Sequence, residues 1–571
     1  MRSRPWVGPA LLAVPALFVA VLFVWPLAVV LDTGLRPDGG GPDLAGVADV
    51  LGDDRLLGVV WFTTWQAAAS TALTLVVGLP AAWVVARLRF RGRRFLWSVL
   101  VVPFVLPTVV VAAAFLTLLG PDGPVNGALA GMGIGDAARP AVEPRGAVWV
   151  VLAAHVFFNV AVVIRVVGAA WARLDPRIEE SAAVLGAGRW RTAREVTAPL
   201  LAPATVAAAS IVYLFSFTSF GVVLLLGRSR LRTLEVEIYA QARTLDLTAA
   251  ATLALVQLAV VVALLALAGR VQRRWTVALP VRPAGDTAHA PRSRGERAAL
   301  VATLGGLAVL LGAPVLALVA RSFRVGDTWT VAAWTGLGDV RRGSVLFVSP
   351  LDALRTSLVT AGVAATVSIV VGGLAALGIA TVERRRPSGR SVGASLLDAT
   401  LMLPLGTSAV TIGFGFVLAL DRPPVDLRGS AALVPLAQAL VAVPFVVRSL
   451  LPALRSIQPG LREAAACLGA GPARVWREVD LPLLARPAVA AFAFALAISL
   501  GEFGATVFVA RADTPTLPLV VQRLLGQPGQ LNVAQAMAVG TILAVLTAAV
   551  VAAVELAGSR HGRVPERLDG R

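Results

Sequence analysis

Glu180-Ser-Ala-Ala-Val-Leu-Gly-Ala-Gly188 returns as Glu463-Ala-Ala-Ala-Cys-Leu-Gly-Ala-Gly471, 283 positions later. The register then holds without a gap. Arg191, Arg194, Glu195, Val196, Pro199, Leu200 and Leu201 fall on Arg474, Arg477, Glu478, Val479, Pro482, Leu483 and Leu484. Upstream, Arg165 meets Arg448 and Pro176 meets Pro459. Downstream, Ser216, Phe220, Gly221, Thr233 and Leu234 meet Ser499, Phe503, Gly504, Thr516 and Leu517. Self-similarity at one fixed offset marks a tandem duplication. An earlier pair, Val76-Val-Gly78 and Val370-Val-Gly372, stands 294 apart, so a loop between it and the motif has changed length in one copy.

Composition sets the class. With 57% hydrophobic and 15% charged residues, and apolar runs of membrane-spanning length, the 571-residue chain is expected to be an all-α polytopic membrane protein. About twelve transmembrane helices are expected, in two homologous six-helix halves. The spans fall near 9–31, 59–86, 95–119, 147–170, 204–227 and 248–268, then 299–320, 355–382, 394–420, 431–452, 487–510 and 534–556. The first run is too long for a cleaved signal peptide and is expected to be retained. Pro103 and Pro107 are expected to kink the third span.

The formal charge of +18 comes from arginines in short stretches such as Arg87-Leu-Arg-Phe-Arg-Gly-Arg-Arg94, without a basic domain or interleaved aromatics. That pattern fits positive-inside topology and excludes nucleic acid as a partner. Cys467 is the single cysteine, so a disulfide framework and a multi-cysteine metal site are excluded. The chain contains no lysine, and a Walker A phosphate loop needs one. With no paired carboxylates or metal-ligand spacing either, neither an enzyme nor a resident cofactor is expected.

The expected segments are a first helix and outer loop (1–58), a first transmembrane domain (59–270), a cytoplasmic linker (271–298), a seventh helix and outer loop (299–354), a second domain (355–556) and a tail (557–571). Arg228 to Tyr239 is expected to be a basic outer loop. In the repeated motif, Pro176 opens a helix, Glu179 and Glu180 suit its positive end, and Gly186 with Gly188 stop it. The product is a bent helical pair between the fourth and fifth spans, and again between the tenth and eleventh.

Two membrane segments bracketing Glu-x-Ala-x-x-x-Gly, with Pro-Leu-Leu further on, resemble the cytoplasmic coupling motif of permeases in ATP-binding-cassette importers. Its double occurrence resembles the fused arrangement, in which one polypeptide supplies both pore halves. The resemblance covers residues 60–270 and 355–556. It implies the type I importer permease fold in a bacterial plasma membrane, with both termini cytoplasmic. It also implies an ATPase dimer at the cytoplasmic face, which binds the ATP, and an extracytoplasmic substrate-binding protein. Each coupling helix would dock in a groove of one ATPase subunit. Glu180 and Glu463 would meet a basic residue there, Gly186 and Gly469 would permit the bend, and Arg191 and Arg474 would be the next contacts.

Ionisable residues inside a membrane cost about 2.5 to 3.5 kcal/mol to insert, which makes each a candidate for function. Glu502, in Ser499-Leu-Gly-Glu-Phe-Gly504, is the main candidate for the substrate path, where a lone carboxylate suits a cation; its alternative is an outer headgroup position or a pair with Arg448. Its repeat mate Ser219, with Ser216, Ser499 and His155, completes the candidate set. Arg165 and Arg448 are expected to snorkel to the inner interface.

The stretch from Ser219 through Tyr239 resembles the first half of fused thiamine permeases, and Ser499 to Pro518 is similar to their second half. Fused ferric-iron permeases share the arrangement, while Gly-Glu-Phe-Gly-Ala-Thr is also similar to molybdate and sulfate permeases. Thiamine is the first expectation, and ferric iron or an oxyanion the alternatives. A twelve-helix secondary transporter is the reading from a different class. It would carry an arginine-glycine loop between its second and third spans and would not need coupling loops after the fourth.

Overall fold

The structure, a computed structural model, describes residues 7–36, 48–49, 52–136, 139–228, 230–275, 287–340, 345–385, 392–422, 425–427 and 429–559. The outer-loop aspartates Asp38 and Asp43, linker residues 276–286, Arg386, Arg390 and the tail from 560 lie outside the described residues. Among the described residues, eleven helices are long and apolar enough to cross a membrane, or twelve when the bent pair Leu397–Pro404 and Ala409–Ala419 counts as one span.

In chain order the elements used below are α1 (Ala10–Leu35), α2 (Asp54–Arg87), α3 (Thr108–Leu119), α4 (Val148–Trp171), α5 (Pro176–Val184), α6 (Ala198–Phe217), α7 (Gly221–Gly227), α8 (Leu234–Arg243), α9 (Leu247–Trp275) and α10 (Arg294–Ser322). They continue as α11 (Pro350–Arg385), α12 (Ala409–Ala419), α13 (Leu433–Ser456), α14 (Pro459–Cys467), α15 (Leu481–Gly501), α16 (Thr506–Val509), α17 (Leu517–Leu525) and α18 (Gln530–Ser559). Two small antiparallel hairpins, Arg324–Val325 with Thr328–Trp329 and Asp421–Arg422 with Val425–Asp426, sit in loops.

The chain forms two compact units, 39–330 and 1–38 with 331–571. They do not follow chain order at their edges, because each repeat lends its first helix to the unit built from the other repeat. In the second unit α1 packs on α11 and α12. Val19, Leu22 and Phe23 join a core with Ala375, Ile379, Val443 and Val446. Gly415 of α12 lies so close that an added methyl would sit 3.1 Å from the Pro26 side chain. In the first unit α10 packs along α3 and touches α2.

Each unit is centred on the second and fourth helices of its repeat. In hydrocarbon, helix association rests on close packing, which small residues permit. The recurring glycine supplies it: a Cβ at Gly78 would stand 2.7 Å from the Val163 side chain, and one at Gly372 would stand 2.8 Å from Val446. Gly78 and Gly372, 294 positions apart, and Val163 and Val446, 283 apart, therefore meet in equivalent helix contacts.

Four expected spans differ. The third is interrupted rather than kinked: helices Arg93–Val99 and Val101–Val105 end at Leu106, which is extended as a residue before proline tends to be, and α3 starts after Pro107. In the ninth, the chain turns by 99° before α12, whose first amides, Val410 and Thr411, donate to the Ser408 hydroxyl. The fifth and eleventh spans stop at Phe217 and Gly501, short of the expected 227 and 510, and each is followed by a break and a short helix, α7 or α16. The second half of the expected basic loop at 228–239 belongs to helix α8, with Leu234 to Ile238 buried.

Candidate functional site

The two loops that carry the repeated motif share one geometry. In α5 the Asp175 side chain accepts from the Arg177 amide at 3.1 Å, whereas Gln458 gives α14 no side-chain cap. Both helices end at a glycine in the left-handed region, Gly186 at φ +86° and Gly469 at φ +84°. The amides of Ala187 and Ala470 then close back on Ala182 and Ala465, each at 3.0 Å, a helix ending that glycine permits without a Cβ penalty. A short helix and one wide π turn lead each loop into α6 or α15.

Glu180 and Glu463 are exposed and make no hydrogen bond or ion pair among the described residues. Beside them Leu185 and Leu468 are 87% and 89% exposed. Arg191 and Arg474 are already engaged, each at 2.9 Å with the glutamate four residues on, Glu195 or Glu478.

The roots of the loops differ. In the first unit Arg87, buried at the end of α2, donates to Glu179 at 3.1 Å and to the Leu174 carbonyl at 3.1 Å. Thr197 donates to the other oxygen of Glu179 at 2.8 Å. The repeat mates of Glu179 and Thr197 are Arg462 and Asp480, and they pair with each other at 2.7 Å. Arg455 separately grips Glu383 at the end of α11 through two bonds, 3.0 and 2.7 Å.

The remaining candidates gather at the breaks after α6 and α15. Ser219 and Glu502 are mates, and both are buried in the break rather than within a span. The Glu502 carboxylate accepts from the Ala505 amide at 2.7 Å, the Thr506 amide at 3.0 Å and the Thr506 hydroxyl, capping α16. No bond to Arg448 is made; that side chain is exposed and reaches Met402. Arg165 is likewise exposed, with a bond to the Trp97 carbonyl.

In the first unit the end of α6 is held from outside. Gln66 on α2 donates to the Ser216 carbonyl at 2.8 Å, one of the acceptors a helix end leaves without an internal donor. Asn159 reaches the Ser216 hydroxyl at 3.4 Å, and Ser70 bonds His155 Nδ1 at 2.9 Å. Serine and histidine thus sit in one buried cluster joining α2, α4 and α6. In the second unit the Ser499 hydroxyl is buried without a partner among the described residues. One link recurs in both: the Leu234 amide donates to the Thr63 hydroxyl at 3.0 Å, and Leu517 to Ser357 at 2.7 Å.

Gln66 and Asn159 were not anticipated, nor were the buried carboxylates of α8. A signal existed for the first. Thr63, Gln66, Ser70 and Thr74 recur at three- and four-residue spacing, a polar stripe on one face of an otherwise apolar helix. On α8, Glu235 accepts from Gln257 at 2.6 Å, and Glu237 accepts from Arg55, from Arg232 at 3.0 Å and from Gln241 at 2.9 Å. The alternation Leu-Glu-Val-Glu-Ile mimics an exposed face and hid them.

Residues 75–277 match the family model described as the binding-protein-dependent transport system inner membrane component. A thiamine transport system permease protein of Brucella suis is 29% identical over 523 residues, covering 89% of each chain. The protein of that name in Escherichia coli is 27% identical over 481 residues, 83% of this chain and 84% of that one. A solved bacterial transporter involved in import of the acidic polysaccharide alginate shares 18% identity, covers 48% of this chain and 96% of that one, and has a TM-score of 0.42. The family is one of transporters rather than enzymes, and its members are multi-pass inner-membrane proteins. With the coupling motif present in both repeats and relatives that align across both, the chain is a fused, two-half permease of a binding-protein-dependent ATP-binding-cassette importer.

Proposed function

We propose that the chain imports thiamine, and that α5 and α14 are the levers through which a separate ATPase dimer drives it. The observation that carries the coupling reading is the repeated loop: the same glycine-ended helix twice, each presenting a free glutamate and a bare leucine from an anchored root. The thiamine reading is supported by the names of relatives aligned over nearly the whole chain. The substrate would arrive on an extracytoplasmic binding protein. Ferric iron is the first competing substrate and a molybdate-type oxyanion the second.

Vesicles holding the full chain, its ATPase and its binding protein should take up labelled thiamine when ATP is present on the ATPase side. Uptake of ferric iron or molybdate in place of thiamine would overturn the substrate and leave the permease reading intact. Glu180→Arg combined with Glu463→Arg should abolish both uptake and co-purification of the ATPase. Retention of both would overturn the lever assignment. For orientation, a reporter active only outside the cytoplasm should be silent after Trp190 or Arg474 and active after Gly131.

A further inference from the structure

Between α2 and α3, at the end of the first unit where the coupling loop is rooted, a cavity of about 500 Å³ is lined by Arg89, Phe90, Gly92, Arg93 and Trp97. Among the described residues no carboxylate lines it. The Arg93 guanidinium is partly buried, yet among the described residues it has one long bond, 3.3 Å to the Ala86 carbonyl, and its Nε is buried without a partner. Burial, and secondly the charge of Arg89, hold Arg93 below the usual arginine pKa, the sign of a cation lacking its counter-charge. A third cation adjoins the wall: Arg165 lies over the Trp97 ring, 5.9 Å from its centroid.

The same rim is apolar. Phe95 is 73% exposed beside the arginines, and Trp97 belongs to the class of side chain that settles at the headgroup level of a bilayer. A soluble anion would neutralise the guanidinium groups but leave Phe95 in water. A molecule with a phosphate and an acyl chain satisfies both. Basic pockets between transmembrane helices are recognised binding sites for anionic headgroups, through charge-assisted bonds that guanidinium forks make well.

We propose that this cavity binds the headgroup phosphate of an anionic phospholipid, with Arg93 and Arg89 on the phosphate and Phe95 and Trp97 against the glycerol and upper acyl chain. The site lies at the root of the first coupling loop: Arg89 follows, by two positions, the arginine that holds Glu179. A bound lipid would therefore brace the end of α2 on which that loop is mounted.

The test uses the purified full chain in neutral detergent, titrated with phosphatidylglycerol, phosphatidylcholine or inorganic phosphate, and read by native mass spectrometry and thermal shift. Phosphatidylglycerol should bind and raise the melting temperature, while phosphatidylcholine at equal concentration should not. Each arginine near an anionic surface contributes enough for about a fivefold change, so Arg89→Gln with Arg93→Gln should weaken binding roughly 30-fold. If that pair fails to fold, Arg93→Gln alone should weaken it about fivefold and Phe95→Ser should weaken it further. Equal binding of the two lipids, unchanged binding in the arginine variants, or displacement of the lipid by millimolar phosphate would each overturn the proposal.

Discussion

The break after the fifth helix of each repeat occupies the same register in both halves, yet the two are held by opposite means. In the first half the joint is tied from a neighbouring helix, by Gln66 to the last turn of α6, and Ser219 stands where its mate is a glutamate. In the second half the neighbour offers Thr360 at the position of Gln66, and the joint ties itself, through Glu502 capping α16. The loop roots show the same divergence. Arg87 reaches from a transmembrane helix to Glu179 in one, while in the other the mates of Glu179 and Thr197 have become Arg462 and Asp480, which pair with each other. Duplication preserved the shape of each element. What drifted is which residue satisfies the backbone and charge that the shape exposes.

If the second joint depends on its own cap, Glu502→Ala should have the largest effect. It strands two buried amides and a hydroxyl, each worth about 1 to 3 kcal/mol when left unmade. A drop of several kcal/mol in the stability of the second half, seen as a large loss of melting temperature, is expected. Ser219→Ala should cost little. Equal losses at the two positions would break the comparison. Glu502→Gln separates the cap from the charge: the amide oxygen retains one acceptor, so a variant that folds but no longer transports would place the carboxylate's charge in the substrate path.

At the roots, Arg87→Ala leaves Glu179 facing Thr197 alone within a partly buried site. Removing one member of such a pair costs about 3 kcal/mol where burial is complete, and less here because Glu179 is 28% exposed. Arg462→Ala is expected to cost about as much locally but to leave α11 undisturbed, since Arg455 holds Glu383 independently. Hydrogen exchange at the end of α2 or α11 reads the difference. A smaller effect is expected from Gln66→Ala, about 0.6 to 1.7 kcal/mol for one interhelical bond in a membrane, with Thr360→Ala smaller still.

The sequence made the duplication, the glycine-ended helices of the repeated motif and eight of the twelve spans legible because each is a local pattern of apolar length, glycine or proline. The breaks at Thr218 and Glu502 were not, since the apolar run continues through them and only tertiary partners decide where the helix stops. Exchange of first helices was invisible for a related reason: α1 and α10 carry no marker of which repeat they pack against, and the close approach at Gly415 is set by a helix nearly 400 positions away. Glu502 was legible as unusual but not as a cap, because its partners Ala505 and Thr506 offer backbone amides, which sequence does not distinguish.

The smallest expected effect tests whether the divergence stops at the surface. Although the roots are wired differently, both loops present the same features outward: an exposed glutamate, a bare leucine one turn on, a left-handed glycine, and an arginine tied to the glutamate four residues later. Two copies of one ATPase would meet two equivalent surfaces. A rim ion pair contributes about 0 to 1 kcal/mol, so Glu180→Ala and Glu463→Ala should each weaken ATPase binding by at most about fivefold, and by the same factor. The two losses should add in the double variant, as they do for separated sites. Affinities measured with the purified ATPase at low and moderate salt decide it. A loss confined to one loop would show that the root reaches the surface, and that the first and second levers are not interchangeable.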